Sequence, residues 1–572
     1  MDLRLLTTAP TDAEKAAVDT VLGPPGSRWE GSVFDEASGR IAIGGHKARA
    51  RRHLLLPALH ALRDARGWLS EGGLGYVCER LTVPPADAYG VATFYALLGV
   101  EERPGRVVHV CSDIACEPTA AATMTRLRAE GATVLPSPCL GGCPSRTATL
   151  EDVAGARLGP GSDSPTAPQE RAGLRLLRRL GVVDPGSISD YQQRGGFIAL
   201  ERAREMGPDG VLDQVERANL RGRGGAAFPV AAKWRGARAA EGTAKHVIAN
   251  GDESEPGTFK DRVLMEGDPF AVVEGLLIAA EATAATKAWM YVRAEYPLAI
   301  QRLETAIAAT EEAGLSNGLD IELRVGAGAY VCGEETALFA SIEGQRGEPR
   351  QKPPFPTTNG LFGQPTAINN IETLVAVLDV VELGGEAFAA VGTADSSGLK
   401  LFSVSGDVRR PGVYELPFGI TLDGLIDVAG GTHGQIGAVL LGGAAGSFIG
   451  PDSLDLELSI EGAASVGAAL GSGAVMVFNA TTDFGEVVRR IAAFFRDESC
   501  GKCVPCRIGT VRQEEALIRL AEGAAIESIE DELHLLSDID AVMTDASICG
   551  LGRTAASAVR SAIALDLPGV IA

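Results

Sequence analysis

The chain has 572 residues, of which 45% are hydrophobic and 22% charged; that is an ordinary globular composition, and the length exceeds what one core holds. About three to five domains are expected. A net charge of −22 argues against a nucleic-acid partner, whose phosphates it would repel. The opening, MDLRLLTTAPTDAEK, carries early acidic residues and no apolar stretch of signal-peptide length, so a cytoplasmic location is expected. The ten cysteines are then reduced thiols, and their clustering favours metal over disulfides.

In chain order, residues 1–30 read as a loose lead-in. From His53 to Leu98 apolar residues recur at three and four, and Pro84–Pro85 with Asp87 offers a fresh helix start, which predicts a small helical bundle. RVVHV (106–110) reads as a strand, 119–130 as a helix and 132–135 as a strand, a small α/β layer. The Gly-, Ser- and Pro-rich run 159–171 reads as a loop or linker. A larger α/β body follows over roughly 188–383, with strands at 246–250 and 288–294 and helices at 271–285 and 297–312. KLFSVS (400–405), GVYEL after Pro411 and a helix near 422–429 make a compact module of sheet and one helix. The longest uncharged run, 462–482, is broken by Gly467, Gly471, Gly473 and Asn479, and its end, AVMVF, reads as a strand rather than a membrane helix. From 485 onward the pattern is helical.

Two cysteine constellations stand out. Cys500, Cys503 and Cys506 are spaced C-x2-C-x2-C, and Cys549 lies beyond two helices in SICGLG. A tight loop can aim three thiolates at one cuboidal cluster, with a remote fourth completing a 4Fe–4S site; structural zinc is the competing reading. Glycines after Cys500 and Cys549 let backbone N–H groups reach the sulfurs. Cys111 and Cys116 are C-x4-C after the first strand, and Cys139 and Cys143 are C-x3-C after the second. Two pairs at adjacent strand ends suit 2Fe–2S or zinc, and spacing does not decide between them. The first constellation inclines the choice to 2Fe–2S. Cys78 and Cys332 stand outside both sets.

Between the two constellations lies RGRGGAAFPVAAKW (221–234), a glycine-rich loop with neither GxGxxG nor GxxxxGK[ST] spacing, so it is a weak phosphate-loop signal alone. Downstream, a strand delivers Asn250, Asp252, Glu253 and Glu255 onto a turn. GAGAYVCGEETAL (326–338) follows, with Tyr330, Gly333, Glu334 and Glu335, and then AINNIETL with Asn369, Asn370 and Glu372. These groups could serve hydroxyls and flavin edge atoms; the plain alternatives are a solvated acidic turn and a helix with acidic first-turn residues.

These motifs, with KPPFP and ESCGKCVPCR…SICGLG and in this order, resemble the NADH-oxidising flavoprotein subunit of respiratory complex I. Residues 51–150, with YGVATFY, resemble the thioredoxin-like 2Fe–2S subunit that accompanies it; the two are joined in this one chain. Such fusions occur in diaphorase subunits of NAD-linked formate dehydrogenases and NAD-reducing hydrogenases. The resemblance is nearest to the β subunit of a molybdenum- or tungsten-dependent formate dehydrogenase.

The resemblance implies a multidomain α/β protein. It divides into a lead-in and helical bundle (1–100), a thioredoxin-like 2Fe–2S domain with linker (101–187), a Rossmann-like FMN/NAD domain (188–395), a β-grasp domain (396–482) and a helical 4Fe–4S domain (483–572). It implies that Gly222, Arg223, Gly224 and Lys233 face the FMN phosphate and ribityl chain. Asn250, Asp252, Glu253, Tyr330, Gly333, Glu334, Asn369 and Asn370 would line the cofactor. Phe228, Lys352 and Phe355 would place NAD together with Glu255 and Glu335, the two catalytic positions. Cys332 would be packing. Ala227 stands where the family usually has glycine, and Gly236 where an aromatic stacks on adenine. The implied cofactors are FMN, NAD, one 4Fe–4S and one 2Fe–2S cluster. The implied partner is a large pterin-containing formate dehydrogenase subunit with further clusters, with no nucleic acid and no membrane insertion. An NAD-reducing hydrogenase, a fused complex I and a zinc-stabilised scaffold without redox role are the other readings.

Overall fold

The computed structural model describes residues 8–25, 50–103, 105–153, 164–170, 173–242 and 244–571. The lead-in is not loose throughout: Asp12–Leu22 is a helix. Thr11 caps it by accepting from the Glu14 N–H, while the Glu14 carboxylate accepts from the Thr11 N–H at 2.7 Å. That T-x-x-E box was legible in the sequence. The helix buries Val18 and Leu22 against helix Leu55–Arg66, which is followed by Glu71–Leu81 and Pro85–Ala92. Pro85 sits at the first helical position, where its missing N–H costs nothing.

Strands β1 (Arg106–Cys111) and β2 (Thr133–Ser137) are parallel, joined by the crossover helix Glu117–Ala129. A third strand, β3 (Thr149–Val153), pairs antiparallel with β1 and was not expected from sequence. The resulting order is β2-β1-β3.

The large α/β body is built on four parallel strands in the order β6-β5-β4-β7: β4 (His246–Gly251), β5 (Lys287–Val292), β6 (Asp320–Val325) and β7 (Thr366–Asn370). Helix Pro269–Thr283 is buried on nearly every side, as its PFAVVEGLLIAAEAT sequence requires. From β4 the chain steps to β5 and β6 on one side, then returns to place β7 on the other. The strand order therefore reverses between β4 and β7, and a crevice opens beyond their carboxyl ends, where open α/β sheets bind ligands.

The next module is a five-stranded sheet of order β11-β10-β12-β8-β9, from β8 (Leu399–Gly406), β9 (Gly412–Pro417), β10 (Ile436–Leu441), β11 (Ser447–Ile449) and β12 (Ala474–Asn479). It carries two short helices, Leu422–Val428 and Ile460–Ser465, where one was expected. Of the expected linker 159–171, residues 159–163 and 171 lie outside the described residues. Its 164–170 portion docks on β9: Val413 N–H donates to Thr166 O at 2.9 Å, and Gln169 and Glu415 bond reciprocally. The C-terminal helices are Phe484–Asp497, Val504–Ala521, Ile529–Ala546, Gly550–Thr554 and Ser557–Ala564. Among the described residues no helix is long and apolar enough to cross a membrane.

Candidate active site

The crevice between β4 and β7 collects most of the residues singled out in the sequence. The strands are in register, with Asn250 beside Asn370 and Ala249 beside Asn369. Loop 221–229 folds back on itself, Gly222 N–H donating to Phe228 O at 3.0 Å, and lies against the start of helix Ile371–Leu383. Arg223 N–H donates to Thr373 Oγ1 at 2.8 Å. Gly224 is closely approached: a Cβ there would come 3.1 Å from Asn370 Cβ, so the asparagine would have to give by a few tenths of an ångström. Ala227 has φ +51°, the left-handed conformation that glycine adopts freely, which accounts for glycine being usual there.

Asn369 shows how the site is held. Trp234, fully buried, donates from Nε1 to Asn369 Oδ1 at 2.8 Å. An indole N–H can only donate, so the carbonyl of the amide faces Trp234 and Nδ2 faces the other way. Nδ2 is buried without a partner in the chain, and so is Asp252 Oδ2. A buried polar atom without a partner in the chain is completed by a ligand or an ordered water. Asn250 Nδ2 donates to Gly333 O at 3.0 Å, fastening the loop after β6 to the end of β4. Burial pushes the Asp252 carboxyl up to about 8, against the pull of Arg293.

At the mouth, Glu334 caps helix Glu335–Ile342 by accepting from Thr336 and Ala337 N–H groups. Lys352 bridges Glu334 at 2.9 Å and Glu335 at 2.6 Å; burial works against its charge, but the two carboxylates hold it above the ordinary lysine range. Phe228 and Phe355 are 53% and 58% exposed, two large aromatic faces presented to solvent. Lys233 donates to Ile368 O at 2.8 Å and lies 5.9 Å from the Phe228 ring; burial lowers its pKa. Glu255 accepts from Tyr330 OH at 2.6 Å and Ala445 N–H at 2.9 Å, and burial lifts it to about 7 despite both bonds.

Two expected ligand groups point elsewhere. Arg223 is buried, donates to Ser397 O at 2.7 Å and lies 4.5 Å from the Phe418 ring, so only its backbone serves the loop. Burial brings its guanidinium down to about 10. Glu253 turns inward, accepting from Asp261 N–H at 2.8 Å and Arg262 N–H at 2.9 Å at the start of helix Lys260–Gly267. Sequence reasoning missed the buried charges Lys260, Asp261 and Lys400 beneath the loop, and their pairing with Glu372.

The ten cysteines are unpaired thiols. Cys111, at the end of β1, lies within hydrogen-bonding reach of Cys116 and Cys139, and Cys139 and Cys143 sulfurs are 3.5 Å apart, all four fully buried. Their loop is pinned to the large body by Arg293, which donates to Cys139 O at 2.6 Å, and by Arg262, which donates to Gly141 O. In the C-terminal bundle Cys503 and Cys506 begin helix Val504–Ala521, and Cys549 precedes helix Gly550–Thr554. A Cβ added at Gly552 would come 2.9 Å from Cys506 Cβ, so the remote cysteine's turn is seated on the triad. Lys502 N–H points at Cys500, and Leu551 and Gly552 N–H groups point at Cys549. Cys500, Cys503 and Cys549 are half-exposed, unlike the buried first set. Four thiols gathered in this way suit an iron–sulfur cluster or a four-thiolate zinc site. Cys332 is buried packing, pushed well up by burial, as expected.

Comparison with known proteins assigns these regions. The family model of the Nuo51 FMN-binding domain matches residues 215–379, and that of the NADH-ubiquinone oxidoreductase-F iron-sulfur binding region matches 486–565. The thioredoxin-like [2Fe-2S] ferredoxin model matches 42–144 and the SLBB domain 401–441. An F-type subunit of the NADH-quinone oxidoreductase of Rhizobium meliloti is 42% identical over 400 residues, 68% of this chain and 94% of that protein. The NADP-reducing hydrogenase subunit HndC of Solidesulfovibrio fructosivorans is 41% identical, over 67% of this chain and 80% of its own. The crystal structure of an air-oxidised NAD+-reducing [NiFe]-hydrogenase has a chain 34% identical with a TM-score of 0.78, covering 90% of this chain and 93% of that one.

Proposed function

The chain belongs to the NADH-quinone oxidoreductase-F family, and from that premise we propose how its parts work. It is an NAD-dependent flavin and iron–sulfur oxidoreductase subunit, with FMN-binding, SLBB and 4Fe–4S regions placed behind a thioredoxin-like 2Fe–2S domain. When bound, FMN supplies the exchange between a two-electron hydride carrier and one-electron carriers. The protein's part is orientation and exclusion of water.

In this reading Gly222, Gly224 and Lys233 hold the phosphate end. Asn250, Asp252, Asn369 and Asn370 hold the ring, and Tyr330, Gly333 and Glu334 close its edge. The observation that carries it is the pair of orphaned atoms, Asn369 Nδ2 and Asp252 Oδ2, at the point where the strand order reverses. Phe228 and Phe355 offer stacking faces for NAD, Lys352 meets its phosphates, and Glu255 and Glu335 place its nicotinamide half. No side chain is assigned a proton to move. Cys500, Cys503, Cys506 and Cys549 hold the 4Fe–4S cluster on the half-exposed side, toward a partner. Cys111, Cys116, Cys139 and Cys143 hold the 2Fe–2S cluster in the interior, as a store or side branch.

Electrons come, in this proposal, from formate oxidised in a large molybdopterin- or tungstopterin-containing subunit, and NAD+ is the acceptor. The second reading, a hydrogenase partner, is favoured by similarity to HndC and to the [NiFe]-hydrogenase chain. Purification of the native complex followed by metal analysis separates them. A pterin with molybdenum or tungsten supports the first, and nickel in the large partner refutes it.

A further inference from the structure

Four charged side chains beneath loop 221–229 are buried: Lys260 and Asp261 at the start of one helix, Glu372 in the first turn of another, and Lys400 on β8 of the SLBB module. Of these only Glu372 stood in the sequence as a candidate, and Lys260 and Asp261 reach the crevice through Asn370. Lys260 meets Asp261 at 2.8 Å and Glu372 at 2.9 Å; Lys400 meets the same Glu372 oxygen at 2.6 Å. Leu401 N–H donates to the other Glu372 oxygen at 2.8 Å. Burying so many charges is costly, and they are tolerated only where the geometry satisfies each one.

The network reaches the loop on two lines. Asp261 accepts from Glu372 N–H at 3.1 Å and from Asn370 Nδ2, and the Asn370 Cβ is what Gly224 rests against. Thr373, next to Glu372, accepts from Arg223 N–H. The SLBB module touches the loop a second time: the Gly471–Ser472 backbone stands where a Cβ on Gly225 would meet it at 3.5 Å, and Ser472 Oγ hydrogen-bonds Thr258 Oγ1. Gly225 has φ +111°, a conformation that favours glycine there.

We propose that the SLBB module forms the back wall of the flavin-phosphate cradle, with Lys400 a positioning residue that fixes the loop through Glu372, Thr373 and Asn370. This rests on the reading that residues 222–224 hold the FMN phosphate. The module is then a component of the cofactor site rather than a spacer between it and the cluster-bearing bundle.

The test compares FMN with riboflavin, which lacks the phosphate, on flavin-stripped full-length protein. Flavin fluorescence quenching measures both dissociation constants. Lys400→Met is expected to weaken FMN binding at least about tenfold while changing riboflavin binding less than about twofold. Lys400→Arg, which keeps the charge, is expected to restore most of the FMN affinity, and both clusters keep their EPR signals throughout. Equal losses for FMN and riboflavin, or no loss for FMN, overturn the proposal. Should Lys400→Met fail to fold, Ser472→Ala, which removes only the hydroxyl met by Thr258, is expected to weaken FMN selectively by about threefold; no selective change there overturns it. A wild-type chain that binds riboflavin as tightly as FMN contradicts the phosphate role of residues 222–224 instead, before any variant is considered.

Discussion

Trp234→Phe isolates the hydrogen bond on which the reading of Asn369 depends. In the wild type the indole donates to Asn369 Oδ1 at 2.8 Å, and that donor alone decides which end of the amide faces the crevice. Phenylalanine keeps most of the apolar ring and removes the N–H. Leaving a buried carbonyl unsatisfied costs about 1–3 kcal/mol. The smaller ring adds on the order of 1–2 kcal/mol for the space it vacates. A fall in stability of roughly 2–5 kcal/mol is therefore expected from thermal or denaturant unfolding. The functional consequence is separate. Once released, the amide can turn its Nδ2 back toward the protein, so FMN affinity is expected to drop about tenfold, or ~1.4 kcal/mol. Asn369→Leu should produce a similar loss, and the double variant should lose little more, because both changes remove the same donor. Unchanged FMN affinity in Trp234→Phe, with stability reduced, would refute the claim that Trp234 aims Asn369 at a ligand.

Other consequences follow from the same geometry. Ala227 sits at φ +51°, so Ala227→Gly relieves left-handed strain and is expected to raise stability by about 1 kcal/mol at most in chemical denaturation, with FMN binding kept or improved. Glu335→Ala removes one of the two carboxylates that hold Lys352 at 2.6 and 2.9 Å; NADH oxidation is expected to fall at least about tenfold, with both cluster EPR signals intact. Loss of those signals would make Glu335 a structural residue. Asp252, lifted by burial from its ordinary value to about 8, stabilises the fold in its protonated form. Its contribution is complete below the unfolded carboxyl value and is lost as pH rises through about 8. The stability gain of Asp252→Asn over wild type in flavin-stripped protein should therefore grow as pH rises from about 4 to about 8 and level off above that; a pH-independent difference contradicts this.

The elements with strong period were readable. Helix Pro297–Glu312 falls where its apolar spacing placed it, and β1, β2, β4 and β5 match their β-branched and aromatic runs. Two of the missed strands have a physical reason in common. β6, DIELRV, is an edge strand whose charged residues alternate with apolar ones against partly exposed surface, and β3, TLEDV, is similar. β7, TAINN, is short and ends in the two asparagines that the site uses, so its polar end hid its strand character. At the site, the motifs named the crevice residues but not their orientation. Arg223 was expected as a ligand from the family resemblance and Glu253 from its place on the turn after a strand; the fold commits one to Ser397 and Phe418 and the other to a helix start. The Lys260–Glu372–Lys400 network joins residues far apart in the chain, and no local pattern reports such pairing.

The most direct test of the central claim is the cofactor content of the purified full-length chain, with iron, acid-labile sulfide, zinc and heat-released flavin measured together with EPR of the NADH-reduced protein. The expected result is FMN, little zinc, and two distinguishable signals. One is lost in Cys503→Ser and Cys549→Ser, the other in Cys139→Ser. Zinc in stoichiometric amount with no flavin released would contradict the account.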